Sequence, residues 1–177
     1  QPWRTIQYAA GKVQAGDTVY IRGGTYNEKV TMNNVQGSSG AWITFTAYNN
    51  EKVIVSGAGI PGSYDGVIRL NNGCKFIKIT GLEITSGSYA GIFLNGGEVT
   101  DIRINNCTIH NCQSSGIYAY SSQYDSGLYV RRVEFDYNTV YDVNNGLAGQ
   151  PTWSPQEAIS FSGVQEFNIH HNNLSRY

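Results

Sequence analysis

The apolar and polar positions of this chain repeat in a fixed pattern. Four stretches, set beneath one another, are IKITGLEITSG from Ile77, IRINNCTIHNC from Ile102, VEFDYNTVYDV from Val133 and FNIHHNNLSRY from Phe167. They match at their first, third, sixth and eighth positions. The matching sets are Ile77, Ile79, Leu82 and Ile84; Ile102, Ile104, Cys107 and Ile109; Val133, Phe135, Asn138 and Val140; Phe167, Ile169, Asn172 and Leu174. Within each half of a copy the alternation has the two-residue period of a strand. Between the halves the phase slips by one residue. Such a slip inverts the facing of every later side chain unless the chain turns a corner there. Each copy therefore predicts two short strands joined by a sharp bend.

A third apolar pair belongs to each repeat: Ile68 and Leu70 in VIRL, Ile92 and Leu94 in GIFL, Ile117 and Ala119 in GIYA, Ile159 and Phe161 in AISF. The copies start 25, 31 and 34 residues apart, at Ile77, Ile102, Val133 and Phe167. Three strands per turn at such a spacing describe an all-β right-handed parallel β-helix of about six to seven coils. WITFTAYNNEKVIVSG and DTVYIRGGTYNEKVTM supply the earlier coils, with a looser match. Asn138 and Asn172 share an inward column, where stacked amides about 4.8 Å apart hydrogen-bond as a ladder. Leu82 and Cys107 fill that site in earlier coils, which makes Cys107 a buried free thiol.

The front end reads differently. In TIQYAAGKVQAGD, Ile6, Ala9, Ala10 and Val13 fall on one helical face, with Thr5 as N-cap and Gly16 as the stop. A short helix within residues 1–16 would cover the open end of the coil stack, which otherwise exposes apolar side chains and unpaired strand groups. The expected organisation is one domain over 1–177, with this cap and then coils over 17–177 that are incomplete at the C-terminal side. The last coil would present an apolar face needing a cover, either further coils or another chain.

Composition narrows the function classes. Charged residues make up 14% and the net charge is −1, which removes the electrostatic argument for nucleic acid or an anionic membrane. No apolar run reaches the length of about 18 residues that a membrane span needs. Three cysteines, Cys74, Cys107 and Cys112, cannot form a complete disulfide framework, and CTIHNC lacks zinc-finger or CxxC spacing. Burial as small apolar groups is the simpler reading.

The stretch PWRTIQYAAGKVQAGDTVYIRGGTYNEKV, Pro2 to Val30, resembles the opening of secreted right-handed β-helix proteins of the pectate-lyase-like superfamily. The later QEAISFSGVQEFNIHHNNL resembles coils of that superfamily. The resemblance implies the fold, an extracellular location and a polysaccharide partner. Two departures stand out: such proteins usually carry a further strand before the Pro-Trp motif, and they continue for several coils beyond the Asn-Asn-Leu strand. The chain thus reads as an N-terminal portion of a longer β-helix.

A β-helix can hold an extended polymer along its stacked strands, because one coil advances about 4.8 Å, close to the length of a sugar ring. The outward column of the third strand reads Arg69, Phe93, Tyr118, Ser160. Aromatic rings there can stack on sugars and Arg69 can meet a uronate carboxylate; the plain alternative is cross-coil stacking that stabilises the sheet. The first strand gives Lys78, Arg103, Glu134, Asn168, and beside it Thr80, Asn105, Asp136, His170. That is a solvated charged face, or else a functional cluster in which Asp136 and His170 are catalytic candidates and Glu134 with Asp136 is a candidate calcium site. The dense Asp-x-Asp pattern of calcium-dependent lyases is absent, and this pair is a weak substitute for it.

The longest excursion, Asn144 to Ala158, carries Trp153 as a sugar-stacking plate and Glu157 as a third catalytic candidate, at an acidic position of the resembling proteins. A second excursion, Ser121 to Tyr129, adds Tyr124 and Asp125. The function favoured by the resemblance is a secreted lyase cleaving an acidic, uronate-containing polysaccharide by β-elimination. The alternatives are a hydrolase using two carboxylates, a non-catalytic carbohydrate-binding or adhesive β-helix, and a structural module assembling through its open ends.

Overall fold

The computed structural model describes residues 2–61, 64–121, 129–144 and 157–175. One short helix, α1 (Ile6–Ala10), precedes seventeen strands. These are β1 (Thr18–Ile21), β2 (Gly24–Asn27), β3 (Val30–Asn33), β4 (Ile43–Ala47), β5 (Val53–Ser56), β6 (Gly66–Asn71), β7 (Lys75–Thr80), β8 (Glu83–Thr85) and β9 (Ala90–Asn95). There follow β10 (Val99–Asn105), β11 (Thr108–Cys112), β12 (Ser115–Tyr120), β13 (Val130–Asp136), β14 (Thr139–Val143), β15 (Ile159–Ser162), β16 (Gln165–His170) and β17 (Asn173–Ser175). Every third strand pairs in parallel, giving a first sheet β1-β4-β7-β10-β13-β16, a second β2-β5-β8-β11-β14-β17 and a third β3-β6-β9-β12-β15. The described chain thus makes five coils of three strands and two strands of a sixth.

The aligned columns are real stacks. Phe45, Ile79, Ile104, Phe135 and Ile169 lie in register along the first sheet. Val55, Ile84, Ile109, Val140 and Leu174 do so along the second, and Ile68, Ile92, Ile117 and Ile159 along the third. Apart from Ile169 and Leu174 of the last described coil, these side chains merge into one continuous core. The phase slip is a left-handed residue at each corner between the first and second sheets: Gly81, Asn106, Tyr137 and His171, with φ of 70°, 52°, 55° and 53°. One residue in that region reverses the facing without a loop. Glycine, asparagine and histidine accept it readily, whereas Tyr137 is an unusual occupant.

Beneath this corner runs the amide ladder. The Asn138 Nδ2 donates to Asn172 Oδ1 (3.1 Å) and to the Ile104 carbonyl (3.0 Å), while its Oδ1 accepts from the Cys107 N–H (3.0 Å). Cys107 is buried and free, as are Cys74 and Cys112. Burial pushes the thiols of Cys107 and Cys112 up to about 12.

The cap helix is shorter than its apolar face suggested. It ends at Gly11, not Gly16, and Val13 packs against the core from the following turn. Gly16, at φ 90°, instead serves the turn into β1. Thr5 caps the helix through its hydroxyl, which accepts from the Tyr8 N–H at 3.1 Å. Two tethers hold α1 over the first coil. Glu28 accepts the Ile6 and Gln7 N–H groups, both at 2.9 Å. The Gln7 amide satisfies the free edge of β3, accepting from the Thr31 N–H (2.6 Å) and donating to its carbonyl (3.1 Å). A side chain therefore stands in for the missing strand neighbour. At the other end of the described stack, Phe167, Ile169 and Leu174 are 53%, 38% and 40% exposed, although the same columns are sealed in earlier coils.

Candidate functional site

The third sheet carries an aromatic face. Its strands alternate inward aliphatics with outward Arg69, Phe93, Tyr118 and Ser160, which lie in register. Phe93 and Tyr118 stack at 5.0 Å with ring planes 8° apart, and Tyr89 meets both edge-on at 6.1 and 5.6 Å. Tyr64 and Tyr120 extend the patch on either side. The Arg69 guanidinium lies 5.5 Å from the centre of the Phe93 ring, donates to Asn95 Oδ1 (3.1 Å) and pairs with Asp65 at 3.7 Å. Lys29 pairs with the same Asp65. Phe93 is only 5% exposed, so it supports the platform from beneath, while Tyr118 is partly open. Burial, Tyr89, Tyr120 and the charge of Glu157 push the Tyr118 phenol up to about 12.

Glu157, exposed, stands just before β15 and acts electrostatically on Tyr118. The chain leaves the second sheet at Val143 and enters the third at Ile159; it leaves the third at Tyr120 and enters the first at Val130. The two long excursions therefore open at opposite ends of the third-sheet strands. Trp153, Tyr124 and Asp125 lie outside the described residues.

A separate cluster occupies the first sheet. Asp136 and His170 are opposite one another in register, with Glu134 one outward column away. Ligand-type atoms of Glu134, Asp136 and His170 all lie within 4.8 Å of each other. Arg103, from the preceding coil, clamps Asp136 with two bonds (3.2 and 2.9 Å) and reaches Glu134 at 3.2 Å. Asp136 is 0% exposed, and its hydrogen bond raises the Arg103 pKa. His170 Nε2 lies 3.3 Å from Glu134, its Nδ1 lies 2.8 Å from Nδ1 of His171, and His171 stacks on Tyr137. The three catalytic candidates are thus divided. Asp136 and His170 meet on the first sheet, whereas Glu157 belongs to the third, because the chain turns a corner between them.

The second sheet holds a cluster that single-strand reading missed. Glu83 pairs with Lys52 (3.0 Å) and His110 (3.2 Å), and His110 stacks on Tyr141 at 4.8 Å with planes 1° apart. Burial pushes the Glu83 carboxyl up, but hydrogen bonds and charge from Lys52 and His110 outweigh it and hold the group below its usual range. The signal was present in the aligned copies, where Glu83 occupies the seventh position and His110 and Tyr141 the ninth.

Calcium takes about six to eight oxygen ligands. Glu134 and Asp136 supply only two carboxylates, and the third neighbour is an imidazole nitrogen. These residues do not fit a calcium centre.

Residues 1–148 match the family model described as the Pel9A-like, right-handed β-helix region. The chain belongs to that family. Among curated relatives of this Pel9A-like β-helix, the uncharacterized protein YwoF of Bacillus subtilis (strain 168) is 35% identical over 104 residues, covering 54% of this chain and 22% of YwoF. Pectate lyase PEL9 of Emericella nidulans is 38% identical over 66 residues, 35% of this chain and 15% of that enzyme. Pectate lyase L of Paenibacillus polymyxa (strain SC2) is 30% identical over 118 residues, 63% of this chain and 25% of that protein. The matches therefore span a quarter or less of each relative's length. Two solved structures share the fold over 94% of this chain. One is pectate lyase Pel9A (TM-score 0.53, 12% identity, 56% of that chain), the other an alginate lyase from Paenibacillus sp. str. FPU-7 (TM-score 0.56, 14% identity, 72% of that chain).

Proposed function

We propose that this Pel9A-like β-helix works outside the cell on an acidic, uronate-containing polysaccharide, bound along the third sheet and cleaved by β-elimination. One observation carries the reading: Arg69, Phe93 and Tyr118 form an in-register cation-and-ring track on the sheet whose two ends open into the longest excursions. Curated relatives and structural neighbours named as pectate and alginate lyases support the reaction class.

The chemistry asks three things of the face. A base takes the proton alpha to the uronate carboxylate, the electrons form a carbon–carbon double bond, and the bond to the 4-oxygen breaks as that oxygen gains a proton. Arg69 supplies positive charge for the carboxylate. Tyr118, held as a phenol, is a proton donor for the leaving oxygen. Glu157 is the candidate acceptor of the carbon-bound proton, and Trp153 the candidate sugar plate. A binding-only role is favoured by one feature: Arg69 and Lys29 share the single carboxylate of Asp65, both at 3.7 Å, which leaves a preset contact surface with net positive charge.

The test is to incubate the protein with polygalacturonate and with alginate, following the ultraviolet absorbance of the unsaturated product. Lyase action gives that absorbance, with turnover lost in Glu157→Gln and affinity lost in Trp153→Ala. New reducing ends without absorbance replace elimination by hydrolysis. Affinity with neither signal leaves a binding module.

A further inference from the structure

The first-sheet cluster has the composition of a metal centre of a different kind. Glu134, Asp136 and His170 bring two carboxylates and one imidazole to within 4.8 Å of each other. A second observation points the same way. Asn105, 6% exposed, lies directly opposite Asp136 in register on the same face. Its side-chain oxygen is buried with no hydrogen-bond partner among the described residues. A buried amide oxygen without a donor is disfavoured, and a cation bound beside Asp136 is a partner it can take. His170 is also oriented for ligation. Its Nε2 lies 3.3 Å from Glu134 Oε1 and its Nδ1 2.8 Å from Nδ1 of His171, so Nε2 is the ring atom that faces the carboxylates, and it coordinates once a cation replaces its proton there.

Mixed oxygen and nitrogen donors in this number suit zinc-class divalent ions and not calcium. We propose that Glu134, Asp136, His170 and the Asn105 amide oxygen bind one zinc-class divalent cation, with Arg103 as a built-in competitor for the two carboxylates. Arg103 is long, partly exposed and anchored from the neighbouring strand, so its head group can swing into solvent while β10 stays in place. Asp136 is fully buried and always needs a positive partner; guanidinium and metal are alternative answers to that need. The site is on a different sheet from the polysaccharide track and stands or falls separately from it.

Calorimetric titration of the chelator-treated chain with Zn2+ tests this, with the thermal midpoint as a second readout. The expected result is one saturable equivalent that raises the midpoint. Binding should be at least tenfold tighter in Arg103→Met, at least tenfold weaker in both His170→Ala and Glu134→Gln, and unmatched by Ca2+. Asn105→Asp, which adds charge at the orphan oxygen, should also tighten it, and this keeps the test decisive if Arg103→Met folds poorly. Absence of saturable zinc uptake by the wild-type chain overturns the proposal. So does uptake unchanged by His170→Ala and Glu134→Gln, which would place the ion at His110 or the thiols, and so does tighter binding of Ca2+ than of Zn2+.

Discussion

The first and third sheets present two decorated faces built by the same repeat, and they solve opposite problems. On the first sheet charge closes on itself: Arg103 clamps Asp136 and Glu134, Arg132 clamps Asp101 at 2.7 Å, and Arg131 clamps Glu98. On the third sheet rings predominate, and Arg69 holds its acid loosely at 3.7 Å. A face whose charges are mutually satisfied contributes to folding. A face with a loosely held cation beside a partly open phenol is free to meet a ligand. The same outward positions of the same coil thus do structural or recognitional work according to how far their partners already saturate them.

The largest expected effect breaks the first face. Arg103→Met, measured metal-free by chemical denaturation, strands a fully buried carboxylate and should cost about 3 kcal/mol. The matching change on the third face, Arg69→Met, should cost less than about 1 kcal/mol, because its ion pair is long and partly solvated. Equal costs would erase the distinction.

Next comes the corner beneath the first sheet. Asn138→Ala leaves the Cys107 N–H and the Ile104 carbonyl without their partner, for a loss of about 2 kcal/mol in the same measurement. A smaller loss, about 1 kcal/mol, is expected for Gln7→Ala, which uncaps the edge of β3.

The last effect is confined to alkaline solution and leaves stability at neutral pH untouched. Folding raises Cys107 and Cys112 from 9.0, and Tyr118 from 10.0, to about 12. The unfolded chain therefore loses these protons first. Stability should be intact below pH 9 and decline between pH 9 and about 12. The double variant Cys107→Ala, Cys112→Ala should start lower at neutral pH but follow a flatter curve across that window.

The stack was legible in the sequence because strand alternation and coil spacing are local properties: a residue's column follows from counting. Ile79, Ile104, Phe135 and Ile169 had to line up once the copies were aligned, and so did Asn138 and Asn172. The site was less legible, because counting assigns a column but not the direction in which each sheet faces after its corner. Counting put Asp136 and His170 on the first strand and Glu157 at the entrance of the third, but it did not say whether those faces share one groove. Arg103 was visible in its column, but its grip on an acid 33 residues away depends on side-chain reach. The helix was overextended for a related reason: Val13 fits a helical face and equally well a turn pointing at the core. Gln7 carried no period at all, since its role is set by the edge of β3.

Affinity electrophoresis through polygalacturonate and alginate, in the presence of chelator, compares the two faces directly. Retardation of the wild-type chain should vanish in Arg69→Met and persist in folded Arg103→Met. Retardation that survives Arg69→Met and disappears in Arg103→Met would move the polysaccharide to the first sheet and contradict the account.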